Sequence, residues 1–115
     1  MPNIKSPFGA TDVFFLAPTG TTSLNIINGQ TLIDGATTQL TAAATINLTF
    51  NTLDTRLSIG AEILLKVATT GITTVTFGTG FIAPVLTGVT GKTFSVSFYY
   101  DGVNFLPKSA PYQIN

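Results

Sequence analysis

The 115-residue chain contains no histidine, cysteine or tryptophan and very little charge. Charged residues make up 9%, against roughly 25% in an average soluble domain. Each absence excludes something. Without cysteine there is no disulfide and no thiolate metal site. Without histidine or cysteine, acid–base or nucleophilic chemistry near neutrality would fall to Asp12, Asp34, Asp54, Asp101 and Glu62. Asp34 and Asp101 each precede glycine, where a turn role suffices, and spacing alone gives no facing pair of carboxylates of the kind a glycosidase uses. No cofactor is expected, and the reading is not that of an enzyme or of a protein with a small-molecule substrate.

Charge of one sign is also missing. Five acids balance five bases. Lys5, Arg56, Lys66, Lys92 and Lys108 are scattered singly, so no basic patch suited to nucleic acid or to an anionic membrane surface is expected. No apolar run approaches the ~18 residues of a membrane helix. The opening Met1-Pro2-Asn3-Ile4-Lys5-Ser6-Pro7 lacks the apolar core of a signal peptide, so synthesis in a cytoplasm without export by that route is expected.

Threonine fills much of the space left by charge, at 21 residues. Mean hydropathy is nevertheless +0.45. A domain of this size buries only about 60–70% of its unfolded surface. A monomer of this composition would leave much apolar area in water, and burial against copies of itself or on a larger assembly removes it.

Helix signals are poor: Ala42-Ala43-Ala44 is flanked by threonines, and β-branched residues, aromatics, glycine and proline dominate elsewhere. Period-two alternation predicts strands. It turns Ile46, Leu48 and Phe50 to one face, and likewise Val75 and Phe77, and Phe94, Val96, Phe98 and Tyr100. Over 61–68 it places Ile63, Leu65 and Val67 inward and Glu62, Leu64 and Lys66 outward. Leu64, apolar between two charges, marks a second buried face. Shorter strands are read at Leu24-Asn25-Ile26-Ile27 and Arg56-Leu57-Ser58-Ile59. Asn28-Gly29 and Asp101-Gly102 sit between apolar runs and suit type I′ hairpins, and Asp34-Gly35 suits another turn. These features predict an all-β domain of short strands joined by turns, in a sandwich or barrel, over 21–106, with a C-terminal tail over 107–115.

Residues 1–20 are cut by proline and glycine, yet carry Phe8, Val13, Phe14, Phe15 and Leu16. Neighbouring residues of a strand point to opposite faces. The segment is therefore either an extended N-terminal arm gripped by a neighbour or a first strand buried on both faces. In the arm reading, Ile4, Phe8, Phe14, Phe15 and Leu16 contact a neighbouring subunit or a larger shell. Two short motifs have structural explanations. Gly78-Thr79-Gly80 lacks the lysine and helix of a phosphate loop, and Asn47-Leu48-Thr49 is a glycosylation sequon inside a predicted strand.

From about Thr38 to Leu106 the chain resembles a β-rich module of tailed-bacteriophage virion proteins: tail fibres, head fibres and head decoration proteins. The resemblance rests on Ala44-Thr45-Ile46-Asn47-Leu48, on Gly60 to Val67, on Thr73 to Gly78, and on Gly91 to Phe105 with its aromatic-Asp-Gly hairpin. It implies an antiparallel jelly-roll-like β-sandwich, homotrimeric and exposed on a phage particle, with no catalytic residues to carry over. Lacking a shaft or heptads, the chain fits a head decoration protein, whose partners are itself and the major capsid protein at the outer head surface. Leu64 is then the candidate trimer contact. The alternative is a tail-fibre protein binding a receptor or glycan, with Tyr99 and Tyr112 as its aromatic platform.

Overall fold

The computed structural model describes residues 12–50 and 58–115, Phe50 by its backbone alone. The described residues are all-β. The strands are β1 (Asp12–Phe15), β2 (Gly20–Ile26), β3 (Gln30–Leu40), β4 (Ala44–Phe50), β5 (Glu62–Thr69), β6 (Thr74–Phe77), β7 (Leu86–Thr87), β8 (Thr93–Tyr100), β9 (Phe105–Pro107) and β10 (Tyr112–Gln113). They form two sheets over one core. The first runs β1-β3-β5-β8-β10, with β9 also on β8; the second runs β2-β4-β6-β7.

The first six strands alternate between the sheets, and this sets the direction of pairing. β1–β3, β3–β5, β2–β4 and β4–β6 are all parallel. Parallel neighbours need a crossover between them, and here a strand of the opposite sheet supplies it. The connectors at 16–19, 27–29 and 41–43 are short. Three extended residues span about 10 Å, the separation of two packed sheets. They carry the chain across the sandwich rather than back along it. Only the later strands fold back: β5–β8, β6–β7, β8–β9 and β8–β10 are antiparallel.

This corrects the antiparallel jelly-roll expectation. The alternation of apolar residues is satisfied equally by either pairing, so it fixes the buried side of a strand and not its neighbour. The three turn readings change as well. Asn28-Gly29 does not close a hairpin, because β2 and β3 belong to different sheets, and Gly29 has no positive φ. Asp34-Gly35 lies within β3. Asp101-Gly102 does begin a hairpin, between β8 and β9, but only Gly102 takes a positive φ (105°), so it is not type I′. There the Asp101 carboxylate accepts the backbone N–H groups of Val103 and Asn104, both at 2.8 Å, and closes a longer loop. Ser58 and Ile59 are not in a strand, and Arg56 and Leu57 lie outside the described residues.

The core is the inner faces of both sheets. Ile33, Ile63, Leu65, Val67, Val96 and Phe98 meet Leu24, Ile26, Ile46, Leu48, Val75 and Phe77. At one end Phe98 packs edge-on against Phe77 (ring centroids 5.1 Å) and Phe81 (4.9 Å).

Two described segments read as arm and tail contain strands. From Asp12 the segment is an edge strand of the first sheet rather than an extended arm. Leu16 is only 4% exposed and lies over Gly35, within the protein's own core. It is therefore not a contact for a neighbouring subunit or a shell. Ile4 and Phe8 lie outside the described residues. At the other end, residues 108–115 are exposed, yet Tyr112 and Gln113 pair with Ser95 and Phe94.

Candidate functional site

The register of the first sheet decides what its outer face carries, because paired residues on neighbouring strands point the same way. Glu62, Leu64 and Lys66 point outward from β5. The middle row across the sheet is then Val13, Leu32, Leu64 and Ser97. On one side runs Phe15, Asp34, Lys66, Ser95 and Tyr112. On the other runs Gln30, Glu62, Tyr99 and Leu106. Val13 is 48% exposed, Phe15 62% and Leu64 43%. The result is an apolar strip, Val13-Leu32-Leu64 with Phe15 beside it, on a sheet face that nothing covers among the described residues.

The strip is bracketed by charges that balance. Lys108 Nζ donates to Glu62 Oε2 at 2.7 Å on one side. Asp34 stands opposite Lys66 on the other. A concavity of about 310 Å³ opens on this region, lined by Gln30, Leu32, Glu62, Leu64 and Ser97 among others.

The second sheet presents a different surface. Its outward rows are Thr21-Thr45-Thr76, Ser23-Asn47, Asn25-Thr49 and Thr74-Thr87. Hydroxyl and amide groups line it, without charge. The two outer faces of one small sandwich thus differ in kind: one is greasy, the other wettable.

The candidate acids are occupied with local structure. Asp12 accepts from Asn28 Nδ2 at 2.9 Å. Asp34 accepts the Thr37 hydroxyl at 2.6 Å and the N–H groups of Ala36 and Thr37. The Thr37 hydrogen bonds, chiefly, hold its carboxyl below the ordinary value, with smaller help from Ala36 and Lys66. The N–H groups of Asn104 and Val103 do the same for Asp101. Asp54 lies outside the described residues. A carboxyl whose folded pKa is depressed stabilises the fold above its unfolded value, 3.8 for these aspartates, and loses that stabilisation as pH falls through the folded one. With no histidine or cysteine to titrate, thermal unfolding should have a flat midpoint from about pH 5 to 8. The midpoint should then fall as acid is added below about pH 4. A midpoint that moves between pH 6 and 7 would contradict this.

Tyr99 and Tyr112 are both exposed and both on the outer face of the first sheet. Tyr112 pairs with Ser95, four residues along β8 from Tyr99, so their backbones are ~13 Å apart. They do not form one stacking platform. Phe14 points inward against the core, and Phe15 outward. From the sequence Val13 is one of several apolar residues in the first segment, and Leu32 is not singled out. Their signal is the one that exposed Leu64: an apolar residue on the side of a strand opposite its buried neighbours, as in Thr31-Leu32-Ile33. A second crevice, of about 240 Å³, lies between Phe77, Val96 and Phe98 and the Pro107–Pro111 segment; its walls are apolar apart from Ser109.

Comparison with known protein families, with characterised proteins and with solved structures finds no match for this chain.

Proposed function

We propose that this protein is a structural component of a tailed-bacteriophage virion, a decoration protein that binds the outer surface of the assembled head as a homotrimer. The observation that carries the reading is the two-faced sandwich. An uncovered apolar strip through Leu64 suits association. The hydroxyl-lined face of the second sheet suits exposure to water. The resemblance of the Gly91 to Phe105 stretch, with its aromatic-Asp-Gly hairpin, to phage virion modules supports the same reading.

The mechanism is mass action. A protein that binds the assembled shell and not its loose subunits stabilises the shell in proportion to that preference. The major capsid protein is then the partner, the outer head surface the destination, and the host cytoplasm the place of synthesis. Contacts made by uncharged side chains depend little on ionic strength, unlike contacts between exposed charges, and only 9% of this chain is charged. Binding should therefore survive 0.5 M salt.

Immunogold labelling of virions tests the location. Label over the head supports the proposal. Label at the tail tip overturns it in favour of the adhesive tail-fibre reading, for which the ~13 Å separation of Tyr99 and Tyr112 offers no shared platform.

A further inference from the structure

We infer that the outer face of the first sheet is where copies of this chain meet, and that the contact is directional: Phe15 of one copy seats in the concavity over Leu32, Leu64 and Ser97 of the next. This deepens the proposed function by naming the partner of that face, and it rests on the trimer expected there.

Three observations support a second copy as the occupant. First, the face is neutral by internal balance. Glu62 is paired with Lys108 at 2.7 Å, and Asp34 faces Lys66 across β3 and β5. A surface that must meet its own likeness cannot carry excess charge of one sign, since like charges brought together are costly. A face evolved for a strongly basic or acidic partner would carry the opposite excess.

Second, one surface holds both a projection and a recess. Phe15, 62% exposed, stands on the edge strand β1. The recess of about 310 Å³ lies further into the sheet, over β3, β5 and β8. Aromatic side chains that enter such pockets are the usual anchors of protein interfaces.

Third, projection and recess are different patches. When each copy gives its projection to one neighbour and its recess to another, the contact is heterologous, and it closes into a ring when the rotation between copies divides a full turn. The expected number of copies, three, is such a ring. The greasy strip is then buried between protomers, and the threonine-lined faces look outward.

The chain has no cysteine, so two introduced thiols report on each other alone. Phe15→Cys and Ser97→Cys are made as separate proteins; both positions are at least partly accessible, so folding is not at stake. Mixed under mild oxidation, they should give a two-chain disulfide product, while each protein by itself stays single-chain on a non-reducing gel. Leu64→Arg, judged folded by an unchanged circular dichroism spectrum, should lower the sedimenting mass from three chains to one. Crosslinking of Phe15→Cys with itself, or a parent protein that sediments as two chains, would show that two faces meet symmetrically and would overturn the directional contact. No crosslink in the mixture, or a Leu64→Arg protein that sediments like the parent, would overturn the contact altogether. These outcomes are independent of where the protein sits on a virion. Label found away from the head removes the decoration role and leaves this contact standing.

Discussion

Phe98→Ala should cost about 3–5 kcal/mol of folding stability, the usual loss when a fully buried phenylalanine becomes alanine. Phe98 is 0% exposed. Its ring touches Phe77 and Phe81 from the second sheet and the loop beyond it. The strand beneath it is held on both sides, by β5 and by β9. Rings this stiff cannot collapse into the space left behind, so the cavity stays. Total stability for a domain of this size is about 5–15 kcal/mol, so the loss is a large part of it. Urea unfolding followed by circular dichroism measures it as a drop in midpoint at nearly constant slope. Tyr99→Ala, one residue away on the outer face, is the control and should move the midpoint little. If the two variants lose the same amount, the division of β8 into inner and outer faces is wrong.

Gly88→Ala is the second large effect, of about 1–3 kcal/mol, and it arises from overpacking. Gly88 follows β7 and is buried. A methyl group there would stand 2.6 Å from Thr69 Cγ2 and 2.7 Å from its Oγ1. Thr69 cannot step aside. It is fully buried, its hydroxyl donates to the Val89 carbonyl at 3.1 Å, and a β-branched side chain has few rotamers to choose from. The backbone must move instead, and Gly88 N–H is itself bonded to Thr73 O at 2.7 Å. Adding Thr69→Ala removes the obstructing atoms. The two substitutions together should therefore cost less than the sum of each alone, and a double-mutant cycle reads the difference. Strict additivity would show that the clash is relieved in some other way.

Some of this was legible in the sequence and some was not, for reasons that separate local from non-local physics. The alternation over β5 correctly assigned Ile63, Leu65 and Val67 to the core and Glu62, Leu64 and Lys66 to the outside, because burial on one face of a pleated strand leaves a period of two. The same held for Val96 and Phe98 on β8. Pairing partners leave no such mark. Asn28-Gly29 reads as a hairpin because both residues tolerate tight turns, but its three-residue connector crosses between sheets. Leu16 looked like part of an arm. It is in the core because Gly35, which lies beside it in the neighbouring strand and lacks a side chain, leaves room for it. The candidate face was half visible. Leu64 betrayed itself by sitting between two charges. Its continuation through Leu32 and Val13 appears only once β1, β3 and β5 are in register, and their parallel register is set across long stretches of chain.

The mass of the protein in solution is the most direct test of association. Sedimentation equilibrium over micromolar concentrations should give three times the 12.0 kDa chain mass. A single chain mass at every concentration would mean that Val13, Phe15 and Leu64 stay exposed to water, and would contradict the claim that this molecule works by association.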